Sequence, residues 1–100
     1  MKATWNGTVI AQADESDLIK IEGNWYFPPE SIDKQYYKDS DHRTECFWKG
    51  TAHYFDVVVN GDVNEGAAWY YPEPMDGSIE RVKKDFSGYV AFWRGVEVGA

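Results

Sequence analysis

One leucine, Leu18, stands against seventeen aromatic side chains in this 100-residue chain. That ratio restricts the fold more than any other feature. Helical bundles and coiled coils fill their seams with leucine and other strong helix formers, and those are nearly missing here. Valine and aromatic residues suit a pleated, half-buried surface. Leu, Ile, Val and Phe together number 20, the lower edge for a chain that folds. The length leaves room for one core and no second. The expectation is a mainly β protein forming a single domain over residues 1–100.

Ten basic residues face seventeen acidic ones, for a formal net charge of −7. The excess is spread over both halves of the chain, and Lys83-Lys84 is the only adjacent basic pair. An acidic surface repels phosphate backbones and anionic bilayers, so neither nucleic acid nor membrane is expected as a partner. Cys46 is the only cysteine; with no internal disulfide to form and no signal-like apolar stretch near the start, a cytoplasmic location is expected. Nothing in the sequence indicates an oligomeric state.

Turn chemistry divides the chain. Asn6-Gly7 predicts a hairpin of strands near 2–6 and 8–12. Gly23-Asn24 predicts a second, closed by Pro28-Pro29, which cannot donate to a ladder. Residues 30–33 read as one helical turn or a loop, Gln35–Lys38 as a short strand and Asp39–His42 as a polar loop. Two strands flank Asn60-Gly61-Asp62. A two-residue turn would set Asp56 opposite Glu65, two like charges. A three-residue loop instead sets Val59 opposite Val63 and gathers Phe55, Val57, Val59, Val63, Ala67, Trp69 and Tyr71 on one face, and this register is favoured. Ser78 is placed to cap a short helix near residues 78–87, with Ile79, Val82 and Phe86 on one face and Gly88 as its stop. Tyr89–Trp93, apolar on both faces, predicts a central closing strand. Hairpins without alternating βαβ units imply antiparallel sheets.

Chemical side chains are sparse. One cysteine with His42 and His53 does not make the paired spacing of a zinc site, so no metal and no cofactor are expected. Phosphate-loop and nucleophile-elbow patterns do not occur. Cys46 has Arg43 and Lys49 three residues to either side, and cationic neighbours turn a thiol into a nucleophile. The rings are most crowded where Trp48, Tyr54, Trp69, Tyr70 and Tyr71 alternate with Gly50, Gly66, Ala67 and Ala68. Small residues beside large rings leave concave space of the kind that lines ligand pockets.

Three ordered blocks carry a resemblance: Thr44-Glu45-Cys46-Phe47-Trp48-Lys49-Gly50-Thr51-Ala52-His53-Tyr54, then Ala67–Pro74 (AAWYYPEP), then Gly88-Tyr89-Val90-Ala91-Phe92. With Tyr26-Phe27-Pro28 before them, they resemble the bacterial domain-of-unknown-function family 427. Phe47 departs from the pattern by replacing the family's proline, so the backbone at 46–48 loses a fixed φ. The resemblance implies two antiparallel sheets leaning together, similar to β-tent folds, some of which hold small ligands in aromatic cages. A nucleotidyltransferase-like label sometimes given to the family finds no support here, because Gly77-Ser78 is not followed by paired strand-borne acids.

Three functions fit the sequence. The first is a small-molecule-binding domain whose site is lined by Trp48, Tyr54, Trp69 and Tyr71, with Cys46 and Lys49 supplying polarity. The second is an enzyme with Cys46 as nucleophile and Lys49 tuning it. The third is a non-catalytic interaction module using exposed rings or an open sheet edge.

Overall fold

A computed structural model describes all 100 residues. It is mainly β, with nine strands, one short α-helix and antiparallel pairing throughout. The strands are β1 (Lys2–Trp5), β2 (Thr8–Gln12), β3 (Ile19–Ile21), β4 (Asn24–Tyr26), β5 (Tyr37–Cys46), β6 (Gly50–Val59), β7 (Asp62–Tyr70), β8 (Val90–Phe92) and β9 (Glu97–Gly99), with α1 (Ser78–Val82) between β7 and β8. No helix is long and apolar enough to cross a membrane.

Hydrogen bonding separates three sheets, in orders β2-β1-β9, β3-β4 and β5-β6-β7-β8, rather than the expected two. The β3-β4 hairpin is still joined to the large sheet. Phe27 and Val90 exchange backbone bonds of 2.8 and 2.9 Å, so the outer edge of β8 is paired just beyond β4. All three β8 residues are buried, as its two-sided apolar sequence requires.

The large sheet has a core on each face. Side chains alternate along a strand, and Val57, Val59, Ala68, Val90 and Phe92 share one cluster with Ala3, Ile10, Ala11, Leu18 and Phe27. Ala52, Tyr54, Tyr71 and Ala91 join Ile19, Ile21, Tyr26 and Phe86 in the other, with Cys46, Trp48 and Trp69 packed against it. One cluster is roofed by the β1-β2-β9 sheet. The second lies under the β3-β4 hairpin and the segment after α1. Adjacent rings therefore serve different cores: Trp69 and Tyr71 enter the second, while Tyr70 packs against the first.

Several local readings are corrected. The second hairpin turns at Glu22-Gly23, both at positive φ (52° and 83°), and Asn24 already pairs with Ile21. Of the strand expected over 35–38, Gln35 and Tyr36 belong to a 3-10 turn, while Tyr37 and Lys38 open β5. The polar segment 39–42 is strand, not loop: Asp39 pairs with Phe55, and residues 40–42 span an irregularity before pairing resumes at Arg43 with His53. Its residues are mostly exposed, so no apolar pattern marks it as strand.

The β6-β7 register also differs. Asn60 (φ 52°) and Gly61 (φ 82°) form a two-residue turn that pairs Val59 with Asp62 and Val58 with Val63. The expected clash of Asp56 with Glu65 does not arise. A bulge carries the register from Val57↔Asn64 to Phe55↔Ala68, and at its centre the Gly66 N–H donates to Asp56 Oδ1 at 2.8 Å. Val63 consequently points outward, 55 % exposed, and is not core. The α-helix stops at Val82, where Lys83 turns left-handed (φ 70°), well short of Gly88. Ser78 is its first residue rather than its cap, and its hydroxyl donates back to the Met75 carbonyl at 2.6 Å. Phe86 is fully buried all the same.

Candidate functional site

Lys49 is the only buried residue with a formal charge, 7 % exposed. It ends the Phe47–Lys49 turn between β5 and β6, and two backbone features fix it there. Its carbonyl accepts the Met75 N–H at 2.9 Å. Next to it, Gly50 sits at φ +116°, where a Cβ would lie 3.3 Å from both the Glu73 carbonyl and the Met75 nitrogen. Glycine therefore lets the 73–75 segment lie directly on the turn.

The side chain of Lys49 runs among rings. Its Nζ is 5.4 Å from the centroid of Trp48 and 5.3 Å from that of Tyr71, within cation–π range. It donates to Glu22 Oε1 at 2.5 Å, and this is the one ion pair in the structure. The pair is lopsided: the Lys49 side chain is 9 % exposed and that of Glu22 56 %. Arg81, from α1, lies over the same Trp48 ring with its guanidinium carbon 4.3 Å from the centroid. Beneath these groups the Trp69 Nε1–H donates to the Tyr26 hydroxyl at 3.1 Å. Tyr26 and Tyr71 both meet Phe86 edge-on.

Electrostatics fix the protonation states. Burial works against the Lys49 charge, but Glu22, Tyr26 and Tyr71 outweigh it and raise its pKa. Burial pushes the Tyr71 phenol up to about 12 although Lys49 pulls the other way. Tyr26 is raised by the same cause, against the bond from Trp69. At neutral pH the site therefore holds one ammonium and two protonated phenols, groups that donate hydrogen bonds and do not act as bases.

Glu22 is held below its ordinary pKa chiefly by its hydrogen bond to Lys49. A carboxylate of lowered pKa contributes stability that is present above its unfolded value and lost as pH falls through the folded one. Acid titration of the wild type is expected to show a small loss of stability below the usual glutamate range, and Glu22→Gln should lack it. Equal acid sensitivity in both proteins would mean that the pair adds nothing. The effect is modest because Glu22 is well solvated.

Of the residues singled out in the sequence, Trp48, Lys49, Trp69 and Tyr71 come together here. Cys46 ends β5, half-buried and paired with Gly50, against the same cluster. Tyr54 joins the second core from β6, directly opposite Trp69. Its hydroxyl shares a 2.8 Å hydrogen bond with Thr44, and its ring packs on His42 at 4.6 Å. His53 packs instead on Tyr70, on the opposite face. Phe47, in place of the family's proline, is 86 % exposed. Glu22, Tyr26 and Arg81 escaped sequence reasoning as site residues. Glu22 and Lys49 are 27 positions apart, and only the folded hairpin joins them.

The rings of the second core largely fill the space between them. Open space adjoins Trp48 rather than Lys49: a cleft of about 280 Å³ is lined by Phe47, Trp48, Met75, Asp76, Ser78 and Arg81. A larger cleft of about 430 Å³ lies on the opposite face, against the stacked Phe55 and Tyr70 rings, 4.7 Å apart.

No curated protein matched the chain. A family profile does match it, over residues 1–99, and its description is a domain of unknown function. The turn that presents Lys49, the glycine that seats it, the strand that carries Trp69 and the Tyr71 just beyond it all fall within the matched span, and the chain belongs to the domain of unknown function family 427.

Proposed function

We propose that this domain binds a small molecule, and that recognition centres on Lys49 at the edge of the second ring cluster. One observation carries the reading: a buried ammonium set between two aromatic faces has a single acidic partner, and that partner is mostly in solvent. Burying a cation is costly unless it is well paired. Glu22, Tyr26 and Tyr71 keep Lys49 charged, and an acidic partner held mostly in solvent suits a site where a ligand anion can join or replace it. Trp48, half-buried, supplies a ring face, and the cleft beside Trp48 and Arg81 takes the body of the ligand. The protonated phenols favour binding over acid–base chemistry.

A thermal-shift screen against a broad set of metabolites tests this. A ligand at ~100 times its Kd adds about 2.7 kcal/mol, a rise of roughly 10–20 °C for a domain of this size. Trp48→Ala, at a half-buried position, is expected to abolish the shift while the protein stays folded. The reading fails if no compound shifts the melting temperature, or if Trp48→Ala leaves the shifts intact.

A further inference from the structure

We infer that Glu22 is an internal stand-in for the anionic head of the ligand, and that this head is a doubly charged oxyanion of the phosphate-monoester type, which displaces Glu22 on binding. The inference rests on the binding reading above and specifies its ligand class.

Two cations, Lys49 and Arg81, lie over the Trp48 ring at 5.4 and 4.3 Å from its centroid. Both act on Glu22 and lower its pKa. Yet Glu22 is the only acid in ion-pair contact with either, and Arg81 forms no ion pair at all. Asp76 lines the adjoining cleft with Arg81 without pairing to it. One carboxylate thus answers two cations, and its departure leaves Lys49 with no acidic partner. A phosphate dianion supplies one more negative charge than Glu22 does, accepts from the Lys49 ammonium through its oxygens, and is favoured by the nearby Arg81 guanidinium.

Glu22 is also built to leave. It belongs to a two-residue turn at the tip of the β3-β4 hairpin, its side chain is more exposed than buried, and neighbouring Gly23 has no atom within 4 Å of where its Cβ would be. Swinging the carboxylate into water breaks its bond to Lys49 while the turn stays in place. While it stays in place, Glu22 lowers apparent affinity by the fraction of molecules in which the site is free.

Titration with inorganic phosphate at mildly alkaline pH, where it is a dianion, tests the exchange. The readouts are calorimetry and amide NMR on the wild type, Glu22→Gln and the double variant Glu22→Gln/Arg81→Gln. Glu22→Gln is expected to bind about tenfold tighter than the wild type, with shifts centred on residues 22–23, 48–49 and 81. Acetate, a monoanion, should bind more weakly than phosphate, and the double variant should lose the gain. Glu22→Gln should also melt lower than the wild type in phosphate-free buffer and recover when phosphate is added. Equal phosphate affinity in wild type and Glu22→Gln, no loss in the double variant, or shifts located elsewhere would overturn the exchange. The two readings separate cleanly. A metabolite that depends on Trp48 but binds wild type and Glu22→Gln equally keeps the binding site and removes the exchange. Absence of both metabolite and phosphate binding removes both.

Discussion

Phe86→Ala is expected to cost about 3–5 kcal/mol, the range for deleting a fully buried phenylalanine side chain. Phe86 has no exposed surface. It meets Tyr26 edge-on at 6.4 Å and Tyr71 at 6.0 Å, the two phenols beside Lys49. Truncation opens a cavity beneath them, and for a domain with roughly 5–15 kcal/mol in total the loss approaches unfolding. Thermal or urea unfolding measures it directly. Phe47→Ala is the natural comparison, since that ring is 86 % exposed and its loss should stay within about 0.5 kcal/mol. A cost below ~1 kcal/mol at Phe86 would mean that the second cluster is no core and that Lys49 stands on no rigid support.

Gly50→Ala is expected to cost about 1–3 kcal/mol from backbone strain alone, with a steric part added. At φ +116° an L residue is strained, and the new methyl would meet the backbone of Glu73 and Met75 at 3.3 Å, atoms that cannot rotate aside. Relief would push the 73–75 segment off the turn and weaken the bond from Met75 N–H to the Lys49 carbonyl. Gly23→Ala isolates the strain component, because at φ +83° it has no atom within 4 Å of the added carbon. Unfolding free energies should place Gly50→Ala clearly below Gly23→Ala. Equal values would show that the close approach at Gly50 is of no consequence.

Local chemistry was readable from the sequence, and long-range pairing was not. Asn6-Gly7 and Asn60-Gly61 mark hairpins because the turn itself demands positive φ. The register past Asn60-Gly61 could not be read correctly, because the charge conflict at Asp56 and Glu65 is relieved by a bulge at Gly66, not by a longer loop. The mark it leaves is Gly66 itself, a glycine inside a strand pattern held at φ 63°, the residue type a bulge favours. Residues 39–42 of β5 read as a loop for a related reason: they are polar, mostly exposed and lie at an irregularity in the pairing with β6. Alternation along β7 does separate Trp69 and Tyr71 from Tyr70, yet no sequence signal says that both faces of the sheet are covered. The Trp48-Lys49-Gly50 segment was legible as a candidate site from its ring density and its family block. Glu22 was not, because a turn glutamate looks like any solvated acid until the hairpin brings it onto Lys49.

The central claim, that Lys49 and the rings around it form the recognition site, is tested most directly by indole N–H resonances. The five tryptophans give five such signals, and their positions divide the molecule. Trp48 lies against the Lys49 ammonium, Trp69 donates to Tyr26, and Trp5 packs against the first cluster on the opposite face. Titration with a compound that raises the melting temperature is predicted to move the Trp48 and Trp69 indole signals and leave Trp5 unmoved. Movement of Trp5 with Trp48 and Trp69 unchanged would contradict the account and place binding on the other face of the sheet.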